Sequence, residues 1–298
     1  MATLPLRPER AAGPQFLTDS FQQQLARWNR ARLAPAFPTD DWQQRLSDDL
    51  VMQRLEGAFI EELRAEIAPQ AADAPADADD FIAWFTALEA SGPGQHDRLH
   101  TWLAEEASLD ELRWFLQQEA AGEAGFDDLV ALTQLKLPER AKLELARNYW
   151  DEMGRGDARG MHGPMLSRLT AALELAPEIE TTTWESLALA NAMTGMAASR
   201  RYAWHSVGAL GVIELTAPAR SALTALALRR LGRPGGERRY FELHAHLDVK
   251  HAEAWLAEAI HPLVAEDPAR ARAMAEGALI RLTAGARSYA RYRAHFGI

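Results

Sequence analysis

Cysteine is absent from all 298 residues, which excludes a disulfide framework, a thiolate nucleophile, a cysteine-held iron–sulfur cluster and zinc sites of the cysteine kind. Any chemistry has to use oxygen and nitrogen donors. Basic charge is short as well: 32 Lys and Arg against 42 Asp and Glu leave a formal net charge of −10. That is the wrong sign for displacing counterions from nucleic acid or for settling on an anionic membrane. No apolar run approaches the roughly 18 residues that a membrane span requires. The opening MATLPLRPER lacks the apolar stretch of a secretion signal. A cytoplasmic location and a small-molecule partner are therefore expected. There is no Gly-rich phosphate loop, no internal repeat and no strand pattern of convincing length. What the chain does contain is helical periodicity and 48% apolar residues, enough for a sizeable core, so the expected fold class is all-α.

Residues 1–13, with two prolines and scattered arginines, read as a flexible tail, and helical patterning begins near Phe16. Thr39-Asp40-Asp41-Trp42 offers an N-cap with acidic residues behind it, and Leu46, Leu50, Met52, Leu55, Phe59 and Leu63 recur at helical spacing. APQAADAPADADD at 68–80 and SGPGQHD at 91–97 read as loops around a short helix at 81–90. His96 and His100 are expected at the surface. The domain reading is 1–13 tail, 14–98 N-terminal helices packed on the core, and 99–298 the main bundle.

The informative residues are carboxylates where apolar side chains are expected. Glu119 lies in the stripe of Leu109, Leu112, Phe115, Leu116, Phe126 and Leu129, with Glu123 one turn later as the alternative inward residue. Glu152 ends one helix and His162, ten residues on, stands near the start of the next, across a corner marked by Gly154 and Gly156 and capped by Asp157. Taken alone, an exposed Glu and His beside a turn would look the same. Glu214 sits among small and aliphatic residues, and Pro218 removes the amide that would bond its carbonyl, so a kink or bulge is expected there. A helix over 240–259 carries His244, Asp248 and His251 at i, i+4 and i+7, on one face, with His246 pointing elsewhere. A solvated polar face remains open for that helix by itself. The last helix, from Asp267 to about His295, closes the bundle.

Four carboxylates and three imidazoles suit two divalent metals, and four anions against two dications leave a buried site near neutrality. Oxygen donors with terminal nitrogens favour iron or manganese, and two irons with carboxylates point to dioxygen activation. The pair of Glu-x-x-His motifs used by ferritin-like bundles is absent.

Glu119, Glu152 with His162, Glu214, then His244-x3-Asp248-x2-His251, together with the strings RNYWDEMGRGDARGMH and YFELHAHLDVKHAEAW, resemble the haem-oxygenase-like di-iron oxidases and oxygenases, a group of iron-containing redox enzymes. The resemblance covers about residues 105–262. It implies a seven-helix bundle, here with additional N-terminal helices. It also implies two iron ions held by Glu119, Glu152, His162, Glu214, His244, Asp248 and His251, the second of them loosely. O2 is the implied co-substrate, with an external reductant as electron donor. Members of this group N-oxygenate amines, desaturate, or fragment fatty acids and amino acids; N-oxygenation of a small amine in biosynthesis is the expectation, with C–C cleavage or desaturation as the alternative. A homodimer is the assembly considered. Thiaminase-like relatives need a cysteine, and haem oxygenases need an uncharged haem slot, so both are disfavoured. An iron-storing or partner-binding helical protein is the non-enzymatic alternative. Trp150, Tyr202, Trp204, His205, Arg200 and Arg201 lie near these residues in sequence and receive no role.

Overall fold

Side-chain caps fix the helix starts at the N-terminal end. The structure is a computed structural model and describes residues 15–122 and 125–298; the expected 1–13 tail and Glu123 lie outside the described residues. Thr18 Oγ1 accepts the amide of Phe21 and opens α1 (Asp19–Leu33), and Asp77 accepts the amides of Asp79 and Asp80 to open α3 (Ala78–Ser91). Between them α2 (Trp42–Ala71) runs through Pro69, so the loop expected over 68–80 shrinks to 72–77. Alanine is the strongest helix former, and it flanks Pro69 and precedes the acidic first turn of α3. The stripe on α2 also needs correction. Leu46 and Leu50 are exposed, and burial begins only at Met52, because the remainder of the molecule covers α2 from that point on.

The bundle continues through α4 (Arg98–Glu105), α5 (Leu109–Gly122), α6 (Phe126–Thr133), α7 (Glu139–Glu152), α8 (His162–Ala172) and α9 (Trp184–Ala198). It closes with α10 (Ala203–Arg230), α11 (Gly235–Ala254), α12 (His261–Glu266) and α13 (Ala269–Phe296). Among the described residues there is no strand beyond a single bridge, Met153 with Met161. No described helix is long and apolar enough to cross a membrane.

The middle of the molecule is α10, packed against α11 and α13. Two glycines let the α10 and α13 backbones touch: a Cβ on Gly208 would stand 2.0 Å from the Met274 carbonyl oxygen, and one on Gly277 would stand 1.8 Å from that of His205. The expected bulge at Pro218 is not there. α10 is one α-helix through Pro218, its buried residues on both sides of the proline held by tertiary packing that outweighs the missing hydrogen bond. The irregularity lies elsewhere, in a π-helical turn at Trp255–Ile260 that joins α11 to α12. Trp255 seats that turn: its ring lies over Gly211 and its Nε1–H donates to the Val207 carbonyl at 3.1 Å. One large apolar cluster runs from Phe16 and α2 through α9, α10 and α13, so α1–α3 share a core with the later helices.

Candidate metal centre

The corner between α7 and α8 is built from backbone that only glycine tolerates easily. Gly154 and Gly156 have φ of 61° and 87°, and a Cβ on Gly154 would come within 2.4 Å of the Gly160 carbonyl carbon. Asp157 does not cap α8 as expected; it accepts the amide of Arg159 within the turn, and α8 starts at His162 itself. The chain thus reverses tightly enough that Glu152, the last residue of α7, and His162, the first of α8, face each other, with His162 Nδ1 2.6 Å from Glu152 Oε2.

Glu152, His162 and His244 each place a donor atom within 4.8 Å of the others, and so do Glu152, Glu214 and His251. Asp248 Oδ1 stands 4.0 Å from His251 Nδ1, and Glu214 Oε2 stands 3.5 Å from the same nitrogen. The spacing on α11 therefore does put His244, Asp248 and His251 beside Glu152 and Glu214, while His246 is exposed. Glu119 lines the same cavity but joins neither triad; its Oε1 accepts a hydrogen bond from Tyr292 at 3.0 Å.

The side chains that orient this set were not foreseen. His244 Nδ1–H donates to the Tyr240 carbonyl at 2.7 Å, which leaves Nε2 with its lone pair free for a metal. His251 Nε2 faces Asp151 Oδ2 at 3.2 Å, and Arg155 holds Asp151 in turn at 2.6 Å. Asn148 Nδ2 donates to Glu214 Oε1 at 2.5 Å, so Glu214 has a partner where sequence neighbours offered none. Asn148 and Asp151 are one turn and one residue before Glu152, inside the string RNYWDEM, and their helical phase relative to Glu152 was the available signal.

The donor set fits a cation. Among the described residues His162 Nδ1, His251 Nδ1 and Asp248 Oδ1 are buried without a hydrogen-bond partner, although His162 Nδ1 and a Glu152 oxygen are in close approach. Burial, reinforced by the charges of Glu214 and Glu152, pushes the Asp248 carboxyl up to about 10. Burial, then the charge of His251, pushes His162 down to about 4. Burial alone would lower His251 too, but the Glu214 carboxylate, 3.5 Å from Nδ1, and then Asp151 raise it to about 9. A proton on His251 partly does what a divalent ion would do fully. Nitrogen and carboxylate donors with no sulfur suit iron, manganese or zinc.

A cavity of about 210 Å³ opens beside this centre, its polar end formed by Glu152, His162, Glu214, His244 and Asp248 and its wall by apolar residues such as Phe115, Leu169 and Ile213. His100, expected at the surface, is buried in that wall, edge-on to Tyr289 at 4.7 Å and Phe115 at 6.2 Å. Its position in the first turn of α4 gave no hint that α10 and α13 cover it. The other polar residues noted nearby in sequence are structural: Tyr202 Oη donates to Glu61, His205 pairs with Glu276, and Arg200 donates to carbonyls of residues 132, 133 and 135.

Comparison with known proteins gives one match of consequence. Residues 113–286 fit the model of a family described as iron-containing redox enzymes, of haem-oxygenase-like fold. No curated protein matches the chain. The matched span, more than half of the chain, contains every donor residue of both triads.

Proposed function

The chain belongs to the family of iron-containing redox enzymes, and we propose on that premise that it is a di-iron oxygenase that uses O2 to oxygenate a small amine at nitrogen. The observation that carries the dinuclear reading is that Glu152 is common to both donor triads. Glu152, His162 and His244 would hold one ion, and Glu152, Glu214 and His251 would hold another, with Asp248 beside the second. Iron, when bound, supplies the electrons for reducing dioxygen; an external donor returns two electrons per turnover, one oxygen atom entering the substrate and the other leaving as water.

The remaining parts are the chain's own. Tyr240 and Asp151 fix the ring orientations of His244 and His251, and Asn148 fixes Glu214. The apolar wall excludes water from the centre. Asp127, on the cavity wall, is an acceptor suited to an amino group. Desaturation or C–C cleavage would use the same centre, and product analysis separates them.

The test is anaerobic titration with Fe(II), followed by oxygen uptake with a panel of small amines and amino acids. Binding that saturates at two equivalents, with amine-dependent uptake and an N-oxygenated product, is expected. Saturation at one equivalent would overturn the dinuclear reading.

A further inference from the structure

The cavity wall carries a cation that the metal centre does not use. Arg220 lies six residues beyond Glu214 on α10, about 9 Å along the helix axis at 1.5 Å per residue. Its Nε–H donates to the Thr216 carbonyl at 3.2 Å, Nη2 to Thr216 Oγ1 at 3.5 Å, and Nη1 to Tyr289 Oη. These bonds hold the side chain in the wall and, among the described residues, leave two of its five N–H groups unengaged. Arg32, Arg64, Arg270 and Arg293 each hold a carboxylate; Arg220, among the described residues, holds none.

His100 stands on the same wall. It is 5% exposed, and neither ring nitrogen has a hydrogen-bond partner among the described residues. Burial, then the charge of Arg220, pushes it down to about 3, so the ring is neutral and offers one N–H and one lone pair. Buried polar groups are rarely left unpaired in a finished structure, since each costs on the order of 1–3 kcal/mol. An unpaired guanidinium edge and an unpaired imidazole on one cavity wall are what a bound anion would satisfy.

Resting on the reading of this cavity as the substrate site, we propose that Arg220, with His100 beside it, receives a carboxylate of the substrate, so that the enzyme acts on small organic acids with an apolar body. The planar fork of Arg220 matches a carboxylate. Glu119 and Asp248 lie close enough for their charges to act on Arg220, which disfavours a doubly charged phosphate there. Phe115, Leu169 and Ile213 supply apolar wall in the same cavity. The acid group then sits at Arg220, about 9 Å along α10 from Glu214, and leaves the other end of the molecule to react.

The experiment measures binding of 3-phenylpropanoate and octanoate against their primary amides by calorimetry, on the full chain, both metal-free and loaded anaerobically with Fe(II). Wild type, Arg220→Gln, Arg220→Lys and His100→Leu are compared, and Fe(II) affinity is measured separately for each. Wild type is expected to prefer acid over amide by about tenfold or more, the scale of one charge-assisted bond pair. Arg220→Gln should bring that ratio near unity with Fe(II) affinity within about threefold; Arg220→Lys should restore part of it, because the charge remains without the fork. If Arg220→Gln does not fold, His100→Leu carries the test, with acid affinity reduced and amide affinity kept. Equal binding of acid and amide, or no binding of either, overturns the proposal. So does an Arg220→Gln protein that keeps the preference but loses iron, since Arg220 would then only compensate Glu119 and Asp248. Acid selection by a protein that binds no iron would uphold this anchor and refute the oxygenase reading.

Discussion

Two buried groups of histidine and carboxylate lie on opposite sides of α10, and they differ in one respect. At the first, Glu276 accepts from Arg64 at 2.7 Å and Arg272 at 2.8 Å and pairs with His205 at 3.0 Å. Burial there would raise the Glu276 carboxyl, but the bonds from His205, Arg272 and Arg64 outweigh it and hold it at about 2. At the second, neither Glu214 nor Asp248 has an arginine ion pair among the described residues, and burial with the charges of Glu214 and Glu152 raises Asp248 to about 10. One group is complete as folded and ties α2, α10 and α13 together. In the other, burial holds the Asp248 carboxyl in its protonated form. Burial of a carboxylate therefore does not mark a functional site; burial without compensation does.

The largest expected effect follows directly. Glu152→Ala should lose both ions and lower turnover by more than about a hundredfold, because one side chain serves both triads, and should leave helix content unchanged. His244→Ala should do nearly as much. Glu276→Ala should do the reverse: iron and activity per folded molecule persist, while unfolding becomes easier by about 3 kcal/mol as His205 and Arg64 lose the carboxylate they share and Arg64 keeps only Glu61. Circular dichroism melts and iron analysis on the same samples separate the two. An iron-deficient Glu276→Ala, or an unfolded Glu152→Ala, would erase the distinction.

Next in size is the contact between α10 and α13 that brings the first group together. Gly277→Ala places a methyl against the His205 backbone, which cannot yield as a flexible side chain would, and should cost about 2–3 kcal/mol. Gly236→Ala, where a Cβ would meet nothing within 4 Å, is the control.

Acid should act on the two groups differently as well. The unfolded chain binds a proton on Glu276 near its ordinary 4.5, while the folded chain does not until about 2. Between those values the unfolded state holds more protons, so the stability that Glu276 contributes is present above pH 4.5 and is lost as pH falls toward 2. Discounted for solvent access, that is about 1–2 kcal/mol. Glu276→Gln should flatten this part of the melting-temperature profile, and Asp248→Asn should not.

These contrasts also show what a linear sequence carries. The α7–α8 corner was legible because Gly154 and Gly156 mark a left-handed turn, and the α11 face because i, i+4, i+7 is set by helical pitch. Glu214 stood out by its aliphatic neighbours. Glu276 did not, since only Arg272 of its partners is local, and the rest of its compensation comes from Arg64, 212 residues away, and His205, 71 away. His100 was misjudged for the same reason: its burial depends on Phe115 and Tyr289, from other helices. The π-helical turn at Trp255 is likewise set by a tertiary contact, the ring against Gly211. Local periodicity reports faces; it does not report what covers them.

The smallest expected effect makes the sharpest use of a matched pair. His244 and His246 sit two residues apart on α11, and each directs Nδ1 at the carbonyl four residues back, to Tyr240 at 2.7 Å and to Glu242 at 2.9 Å. Their local geometry is thus alike, and both substitutions remove the same hydrogen bond and the same ring. They differ in face: His244 packs at 4.6 Å from the His162 ring, whereas His246 is exposed. His246→Ala should therefore change stability by no more than about 0.5 kcal/mol, as surface substitutions do, and leave iron content and oxygen uptake as in wild type. Because His244→Ala carries the same local cost, any loss it shows beyond that of His246→Ala belongs to the metal centre. Equal losses in the two variants would mean that the shared local bond, and not the face, sets the effect, and the assignment of α11 as a ligand helix would fail.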